Sequence, residues 1–595
     1  MSTINNRIQR LRKAMQQHQL DAYIVPSSDA HQSEYVNAHW KSRAWISGFT
    51  GSAGLVIITQ NHAGLWTDSR YFLQAETELA DSEMVLHRQG VPHAPEHNTW
   101  LRDNLPAGAT IGIDGQVFSL GQLQRMKQVI GSKNVTIDTS HDLFKTIWED
   151  RPSLPLAPIL EHDVQYAGQS RIDKIATIRK KMQSKGVAYH LVTTLDDIAW
   201  IFNIRGTDVD FNPLALAYAV IGLKDTWLFI APQKVPTELG DTLKKENITL
   251  LAYSSIQKFL LSLPKRDKIL INPATINIAL FDLLTSQQIV KGYTISTPLK
   301  AVKNSVEISH LRKTMAKDGV ALLQLYRWLM SELNHRSVTE YEVGQQLVVF
   351  RSKQGEYRGE SFPAIVGYQG NGAIVHYRPS SNNSSDIKKE GILLLDSGGQ
   401  YEDGTTDITR TFALGTPTDE QRTNYTLVLK GHIALSQLVF PKGTKGVQID
   451  ALARQHLWQH HLNYGHGTGH GVGFFLNVHE GPQSISPNAL RSTATFEPGM
   501  LTSNEPGFYK TGEYGIRIEN LVLCVEAGKS DFGTFYQFDS VSLFPYDPQL
   551  IDVSLLTAKE IDWINTYHQK VKDSLSPLLK EEERVWLEEQ CKPIL

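Results

Sequence analysis

The stretch GILLLDSGGQYEDGTTDITRTF, Gly391 to Phe412, carries the reading of the fold. Gly391 to Leu395 is an apolar run ending on Asp396, the pattern of a buried strand with a carboxylate at its end. A Gly-rich turn follows. Asp407 to Phe412 then alternates, which predicts a second strand with Asp407, Thr409 and Thr411 on one face. A hairpin would bring Asp396 and Asp407 together. Two close carboxylates repel, and neither stays ionised in a partly buried site without a cation. Taken alone, each aspartate reads as an exposed strand end or a turn cap.

Downstream segments add the groups that change this balance. In YGHGTGHGVG, Tyr464 to Gly473, His466 and His470 sit four apart, but Gly465, Gly467, Gly469 and Gly471 interrupt any helix that would align them. In FEPGMLTSNEPGFYKTGEYGIRIENLVL, Glu505 ends a strand before Pro506-Gly507. Tyr514 to Val522 alternates as a further strand, with Arg517 and Glu519 on one face and Ile516 and Ile518 on the other. A glutamate on an isoleucine-rich strand is unfavourable unless its face is polar or its charge is neutralised. NGAIVHYRP brings His376 and NVHEGP brings His479, both expected on strand-like backbone. The four carboxylates Asp396, Asp407, Glu505 and Glu519 carry four negative charges, which two divalent cations balance. An oxygen-rich set with one imidazole suits Mn²⁺, Co²⁺ or Zn²⁺ in a hydrolytic two-metal site rather than a structural zinc site.

The chain of 595 residues exceeds one core and divides into several domains. Lys+Arg 59 against Asp+Glu 62 leaves a net charge of −3, with no basic footprint for nucleic acid and no polybasic membrane surface. The two cysteines, Cys524 and Cys591, exclude a disulfide framework or a thiolate metal cluster. The opening MSTINNRIQRLRKAMQQHQLD lacks an apolar core of the signal-peptide kind, and no apolar run approaches the ~18 residues of a membrane span. The expected location is the cytoplasm.

An internal repeat organises the first half. LRKAMQQHQLDAYIV from Leu11 and IRKKMQSKGVAYHLV from Ile178 both read as a basic amphipathic helix running into a buried strand, offset by 167 residues. Each is followed by an aromatic-rich segment, 34–59 and 196–221, expected to form a strand pair. Two similar α/β domains in tandem follow from this. Pro152, Pro155 and Pro158 mark the first boundary as a stiff linker. The second boundary lies near Pro298, with Ser305 at the start of a helix from Val306 to about Glu332, and another helix follows over Thr339 to Lys353. The expected limits are 1–152, 153–299 and 300–595. The last 45 or so residues read as helices with a proline break, packed on the outside or in an oligomer contact.

The order Asp396, Asp407, His470, Glu505, Glu519 resembles the ligand order of the pita-bread metallopeptidases, which include methionine aminopeptidase, prolidase, aminopeptidase P and creatinase. The words LLDSGG, DITRTF, HGTGHGVG, NEPGFY and YGIRIEN resemble the family's as well, over about residues 305–545. The tandem domains, with WTDSRYFLQAE from Trp66 to Glu76, resemble the long three-domain Xaa-Pro aminopeptidases. The resemblance implies two creatinase-like α/β domains before a pita-bread catalytic domain. It implies two divalent ions, Mn²⁺ first, with Asp396 on one, Asp407 and Glu519 bridging, and His470 and Glu505 on the other. Glu505 would act as general base towards a bridging water. His376 and His479 would hold substrate and stabilise the tetrahedral intermediate, His466 would lie near a proline pocket, Arg70 would contact substrate, and Arg517 would orient ligands. The implied reaction is removal of the residue before an N-terminal-second proline from peptides, by a homodimer. Prolidase shares the metal centre but has one N-terminal domain; creatinase uses the fold without metals; a non-catalytic binding module would have lost the ligands.

Overall fold

The computed structural model describes residues 3–284, 288–490 and 492–595. The chain forms two compact units, Met1–His162 with Gln169–Ser296, and Asp163–Gly168 with Thr297–Leu595.

The first unit contains the repeat. Helix α1 (Thr3–Gln17) buries Ile8, Leu11 and Met15 and leads into β1 (Ala22–Pro26). Strands β2 (Leu55–Thr59), β3 (Ala63–Thr67), β4 (Val85–Arg88), β5 (Thr110–Ile113) and β6 (Thr136–Asp138) complete a sheet of order β4-β3-β2-β1-β5-β6. Helix α2 (Arg171–Ser184) leads likewise into β7 (Tyr189–Val192), joined by β8 (Ala217–Gly222), β9 (Thr226–Ile230), β10 (Ile248–Leu251), β11 (Lys268–Ile271) and β12 (Gln288–Lys291) in the order β10-β9-β8-β7-β11-β12. In both sheets the first strand pairs antiparallel on one side and parallel on the other. The lead strands start at Ala22 and Tyr189, the same 167-residue offset read from the sequence.

The aromatic-rich segments correct one expectation. Each holds a helix and one strand of its six-stranded sheet, not a strand pair: Ser42–Ser47 before β2, and Leu195–Phe202 before β8, where the short strand Ile204–Arg205 pairs instead with Leu160–Glu161. Leu195–Phe202 is buried nearly all round, so its apolar run has no period to distinguish strand from helix; Asp196 and Asp197 in the first turn favour the helix. Ser42–Ser47 ends on Gly48 at φ 75°, a left-handed cap.

The second unit contains α3 (Ser305–Glu332) and α4 (Glu340–Arg351). The cap of α3 is Asn304 rather than Ser305: its side chain accepts from Val306 and Glu307 N–H, and Glu307 reaches back to close a capping box. Strands β13 (Ile365–Tyr368), β14 (Ile392–Ser397) and β15 (Ile408–Ala413) form a three-stranded antiparallel sheet. A second, six-stranded antiparallel sheet contains β16 (Val439–Pro441), β17 (Gly469–Gly471), β18 (Glu480–Ile485), β19 (Leu501–Asn504), β22 (Asn520–Ser530) and β23 (Gly533–Ser540), in the order β16-β23-β22-β19-β17-β18. The hairpin β20 (Gly507–Lys510) and β21 (Tyr514–Arg517) lies between them in sequence. Helices α5 (Asp419–Ser436) and α6 (Gly446–Trp458) pack on each other.

One further expectation changes here. The strand expected over Tyr514 to Val522 breaks at Ile518-Glu519, where Ile518 N–H donates to Pro506 O (3.2 Å) and Glu519 N–H to Thr409 O (3.1 Å). The C-terminal helices α7 (Ala558–Leu575) and α8 (Glu581–Gln590) each turn one face inward and leave the other exposed: Ile564, Tyr567, Val571 and Leu575, at three- and four-residue spacing on α7, and Leu587 on α8 bury into the same core as Leu393, Leu395 and Phe412. Among the described residues no helix is long and apolar enough to cross a membrane.

Candidate metal centre

The antiparallel pairing of β14 and β15 places Asp396 opposite Thr409, with Asp407 just before β15. Glu505 follows β19, Glu519 occupies the break between β21 and β22, and His470 is the middle residue of β17. Asp407, His470 and Glu519 bring one ligand atom each within 4.8 Å of one another. His470 Nε2 lies 3.5 Å from Asp407 Oδ2 and 3.5 Å from Glu505 Oε1. Its Nδ1 faces the Gly471 carbonyl at 2.9 Å, so a proton held there leaves the Nε2 lone pair pointing at the carboxylates. Thr409 Oγ1 donates to Glu519 Oε2 (2.8 Å), and Ser503 Oγ donates to Glu505 Oε1 (3.2 Å) while accepting from His470 N–H (2.9 Å).

Arg517 ties the remaining groups together. Its Nη2 donates to Asp396 Oδ2 (2.6 Å) and to the Val375 carbonyl (3.4 Å), and its Nη1 donates to Tyr509 Oη (2.7 Å). Tyr509 Oη also meets His466 Nε2 at 2.8 Å. His479 stands edge-on to His470, ring centroids 4.3 Å apart. His376 follows Val375 on a turn after the 3₁₀ helix Gln369–Ala373, not on strand-like backbone. Arg70 belongs to the first unit, where it grips Asp68 at 2.8 and 2.7 Å. Tyr509, Ser503 and the supporting role of Thr409 were missed in the sequence. Tyr509 and Ser503 lie within four residues of Glu505, but nothing local says that their hydroxyls meet residues on other strands.

The chain is similar to known proteins over its whole length. Residues 309–526 match the model of metallopeptidase family M24, and 534–594 match that of the C-terminal region of peptidase M24. Residues 7–147 and 150–307 match two models of the creatinase/prolidase N-terminal domain. A probable Xaa-Pro aminopeptidase P from Laccaria bicolor is 42% identical over 610 residues, covering 100% of this chain and 94% of the relative. Aminopeptidase P2 from Arabidopsis thaliana is 40% identical over 613 residues, covering 97% and 86%. The chain belongs to metallopeptidase family M24. The crystal structure of an X-prolyl aminopeptidase from Caenorhabditis elegans, described as a cytosolic enzyme with a di-nuclear active site, superposes with a TM-score of 0.96 at 32% identity, covering 100% of both chains. The M24 resemblance and the mixed α/β, pita-bread class read from the motifs therefore hold.

The residues of this M24 chain fit divalent metal on their own chemistry. Asp396 is buried, and its Oδ1 has no hydrogen-bond partner. Burial and the Asp407 charge push the Asp396 carboxyl up to about 6 despite Arg517. Burial raises Glu505, though His470 and Arg517 oppose this, and burial with Asp407, Asp396 and Glu505 holds Glu519 well above the carboxylate range. Burial alone would lower the His470 imidazole; Asp407 and Glu505 outweigh it and raise it to about 9. Bare, the site holds protons that a cation must displace. Metal affinity of the metalloenzyme should therefore rise between about pH 6 and 9, by roughly tenfold per pH unit for each proton released. Titration calorimetry in buffers of different ionisation enthalpy reads the proton count; an affinity flat across that window would sink the expectation.

The Gly-rich loop of the metallopeptidase is held by charge rather than by helix. Arg454 on α6 donates to the carbonyls of Tyr464 (2.7 Å) and His466 (2.8 Å) and pairs with Asp450, which accepts from Thr468 Oγ1 (2.6 Å). A Cβ on Gly469 would lie 2.0 Å from Ser503 O, and one on Gly471 2.2 Å from Glu480 O, so β17 enters between its neighbours only without side chains there. Gly469→Ala should cost about 3 kcal/mol. Gly467→Ala, where the nearest atom is 3.4 Å away, should stay within about 0.5 kcal/mol. Denaturant unfolding of the two variants checks the contrast, and equal costs would mean that the close approach is not what selects glycine.

Proposed function

We propose that this metallopeptidase removes the N-terminal residue from peptides with proline in second position. The observation that carries the reading is the gathering of Asp407, Glu505 and Glu519 about His470, with the Asp396 charge felt by Asp407 and Glu519, in a chain similar over its full length to proteins named Xaa-Pro aminopeptidase P. Asp396, Asp407, His470, Glu505 and Glu519 would hold two divalent cations, Mn²⁺ first and Co²⁺ or Zn²⁺ as substitutes. When bound, the ions supply polarisation of the scissile carbonyl and an acidified water.

The protein's own groups do the rest. The Glu505 carboxylate takes up the proton of the attacking water and returns it to the prolyl nitrogen as the C–N bond breaks. His376 and His479 orient the peptide, and their ring N–H groups face the oxyanion that develops on the carbonyl; each donor of this kind is worth about 3–4 kcal/mol. His466, held by Tyr509, lines the proline side. An Xaa-Pro bond offers no N–H for an ordinary aminopeptidase to grip, which makes recognition of the ring the basis of choice. We also propose domain limits of 1–152, 153–299 and 300–595, a homodimer, and a cytoplasmic location, the last supported by the cytosolic description of the similar nematode enzyme.

The test is hydrolysis of Arg-Pro-Pro and Ala-Pro by the Mn²⁺-loaded protein, with Glu505→Ala as control. Release of arginine from the tripeptide, lowered about 10³-fold or more in the variant, is the expected result. Cleavage of the dipeptide alone would make the protein a prolidase. Two metals per chain with neither substrate cleaved would overturn the substrate class.

A further inference from the structure

The turn that carries His376 is bracketed by a carboxylate far from the metal centre in sequence. Glu340, the first residue of α4, is 0% exposed. Its Oε1 accepts from Tyr368 N–H (2.7 Å) and Asn371 Nδ2 (3.0 Å). Its Oε2 accepts from Asn371 Nδ2 (3.1 Å), Tyr377 Oη (2.8 Å) and Ser385 N–H (2.7 Å). These donors lie before, within and after the segment 369–376. Tyr377 is the residue next to His376, and burial with the Glu340 charge pushes its phenol far above its usual range, so it stays a donor.

Every one of these contacts is a donor facing the carboxylate, and every donor is neutral. No other buried side chain of this length supplies four acceptor lone pairs and no hydrogen. Glutamine has the same shape but turns an NH₂ towards the Tyr368, Asn371, Tyr377 or Ser385 donors, and a buried donor then loses its acceptor. A neutral, shape-filling contact would suffice to support α4. Four charge-assisted bonds aimed at the ten-residue turn 368–377, with a fifth from Ser385 beyond it, do more: they fix where residue 376 stands. The opposite side of the turn is equally constrained, because Gly372 meets Gly515 so closely that a Cβ on Gly515 would lie 1.7 Å from Gly372 O.

We infer that Glu340 is a positioning residue for His376, acting through Tyr377 and the 368–377 turn to hold the imidazole in register with the substrate carbonyl. The inference rests on the role given to His376 above. Geometry at an active site decides rate steeply, and a displacement of about 1 Å can cost about 100-fold.

A double-mutant cycle in the full-length, Mn²⁺-loaded protein tests it. The variants are Glu340→Gln, Tyr377→Phe, His376→Ala, and each of the first two combined with His376→Ala. Each is measured for kcat and KM on Arg-Pro-Pro and for metal content. Glu340→Gln should lower kcat about 30-fold or more with two metals retained, and Tyr377→Phe about 5-fold. In the His376→Ala background both effects should shrink to less than about 2-fold, since a residue that acts through another has nothing left to position. If Glu340→Gln does not fold, the Tyr377→Phe cycle decides alone. Additive losses, or loss of metal from Glu340→Gln, would overturn the inference and make Glu340 a general support of the fold. Wild-type activity in His376→Ala would instead overturn the role of His376, and the inference with it.

Discussion

Glu519→Gln should leave a folded protein that has lost Xaa-Pro cleavage by about 10³-fold or more, some 4 kcal/mol of transition-state stabilisation at ~1.4 kcal/mol per tenfold. Glu519 is 1% exposed, accepts from Thr409 Oγ1 at 2.8 Å, and is crowded by Asp407, Asp396 and Glu505. Glutamine keeps the shape and the Thr409 contact and mimics the protonated acid that burial and the acidic neighbours favour in the metal-free protein, so thermal stability without metal should hold. In the presence of Mn²⁺ the same change removes a proposed ligand, and metal bound per chain should fall. The contrast between the two readouts separates a ligand from a structural carboxylate. A metal-free variant that melts lower than the native chain would make Glu519 structural; a variant with full metal and near-native kcat/KM would remove it from the centre.

Arg410→Ala should destabilise the protein by about 4–5 kcal/mol, among the larger effects expected of one substitution. Arg410 is 2% exposed and its guanidinium serves both sheets and the C-terminal segment at once. It donates to the carbonyls of Thr409 (2.9 Å), Glu519 (2.7 Å), Phe544 (2.6 Å) and Pro545 (3.2 Å), to Asn520 Oδ1 (2.8 Å) and to Tyr567 Oη (2.9 Å), and it lies over the Tyr546 ring at 4.7 Å. Truncation leaves buried acceptors without this donor and opens a cavity where the planar group stood. Lysine has three donors on a point charge and cannot reproduce the fork, so Arg410→Lys should recover less than half of the loss. The Glu519 carbonyl is one of the acceptors, so activity should fall at temperatures where the variant is still folded. Denaturant unfolding gives the cost, and a loss below about 1 kcal/mol would show that water or neighbouring groups replace the guanidinium.

The parts of this protein legible from its sequence are those encoded within a few residues. The apolar run into Asp396, the helix expected over Thr339 to Lys353 and the paired helix–strand words 167 residues apart all reappear as β14, α4 and the two matching sheets. The identities of the acidic and imidazole groups were legible too, because five spaced words carry them in order. Tertiary structure decided how those groups are held. Glu519 owes its aim to a break in an alternating strand, made by the Thr409 carbonyl 110 residues earlier, which no local periodicity records. Arg517 reaches Asp396 across 121 residues and Arg410 reaches the Glu519 carbonyl across 109. The C-terminal helices, read as an outer layer, turn Ile564, Tyr567, Val571, Leu575 and Leu587 into the core shared with β14 and β15, an apolar surface that only the folded sheet presents. Caps, turns and amphipathic periods are local energies and can be read locally. A buried charge is stabilised only by partners that the fold delivers from elsewhere in the chain, so the acidic and imidazole residues could be singled out in the sequence and the way the fold gathers them could not.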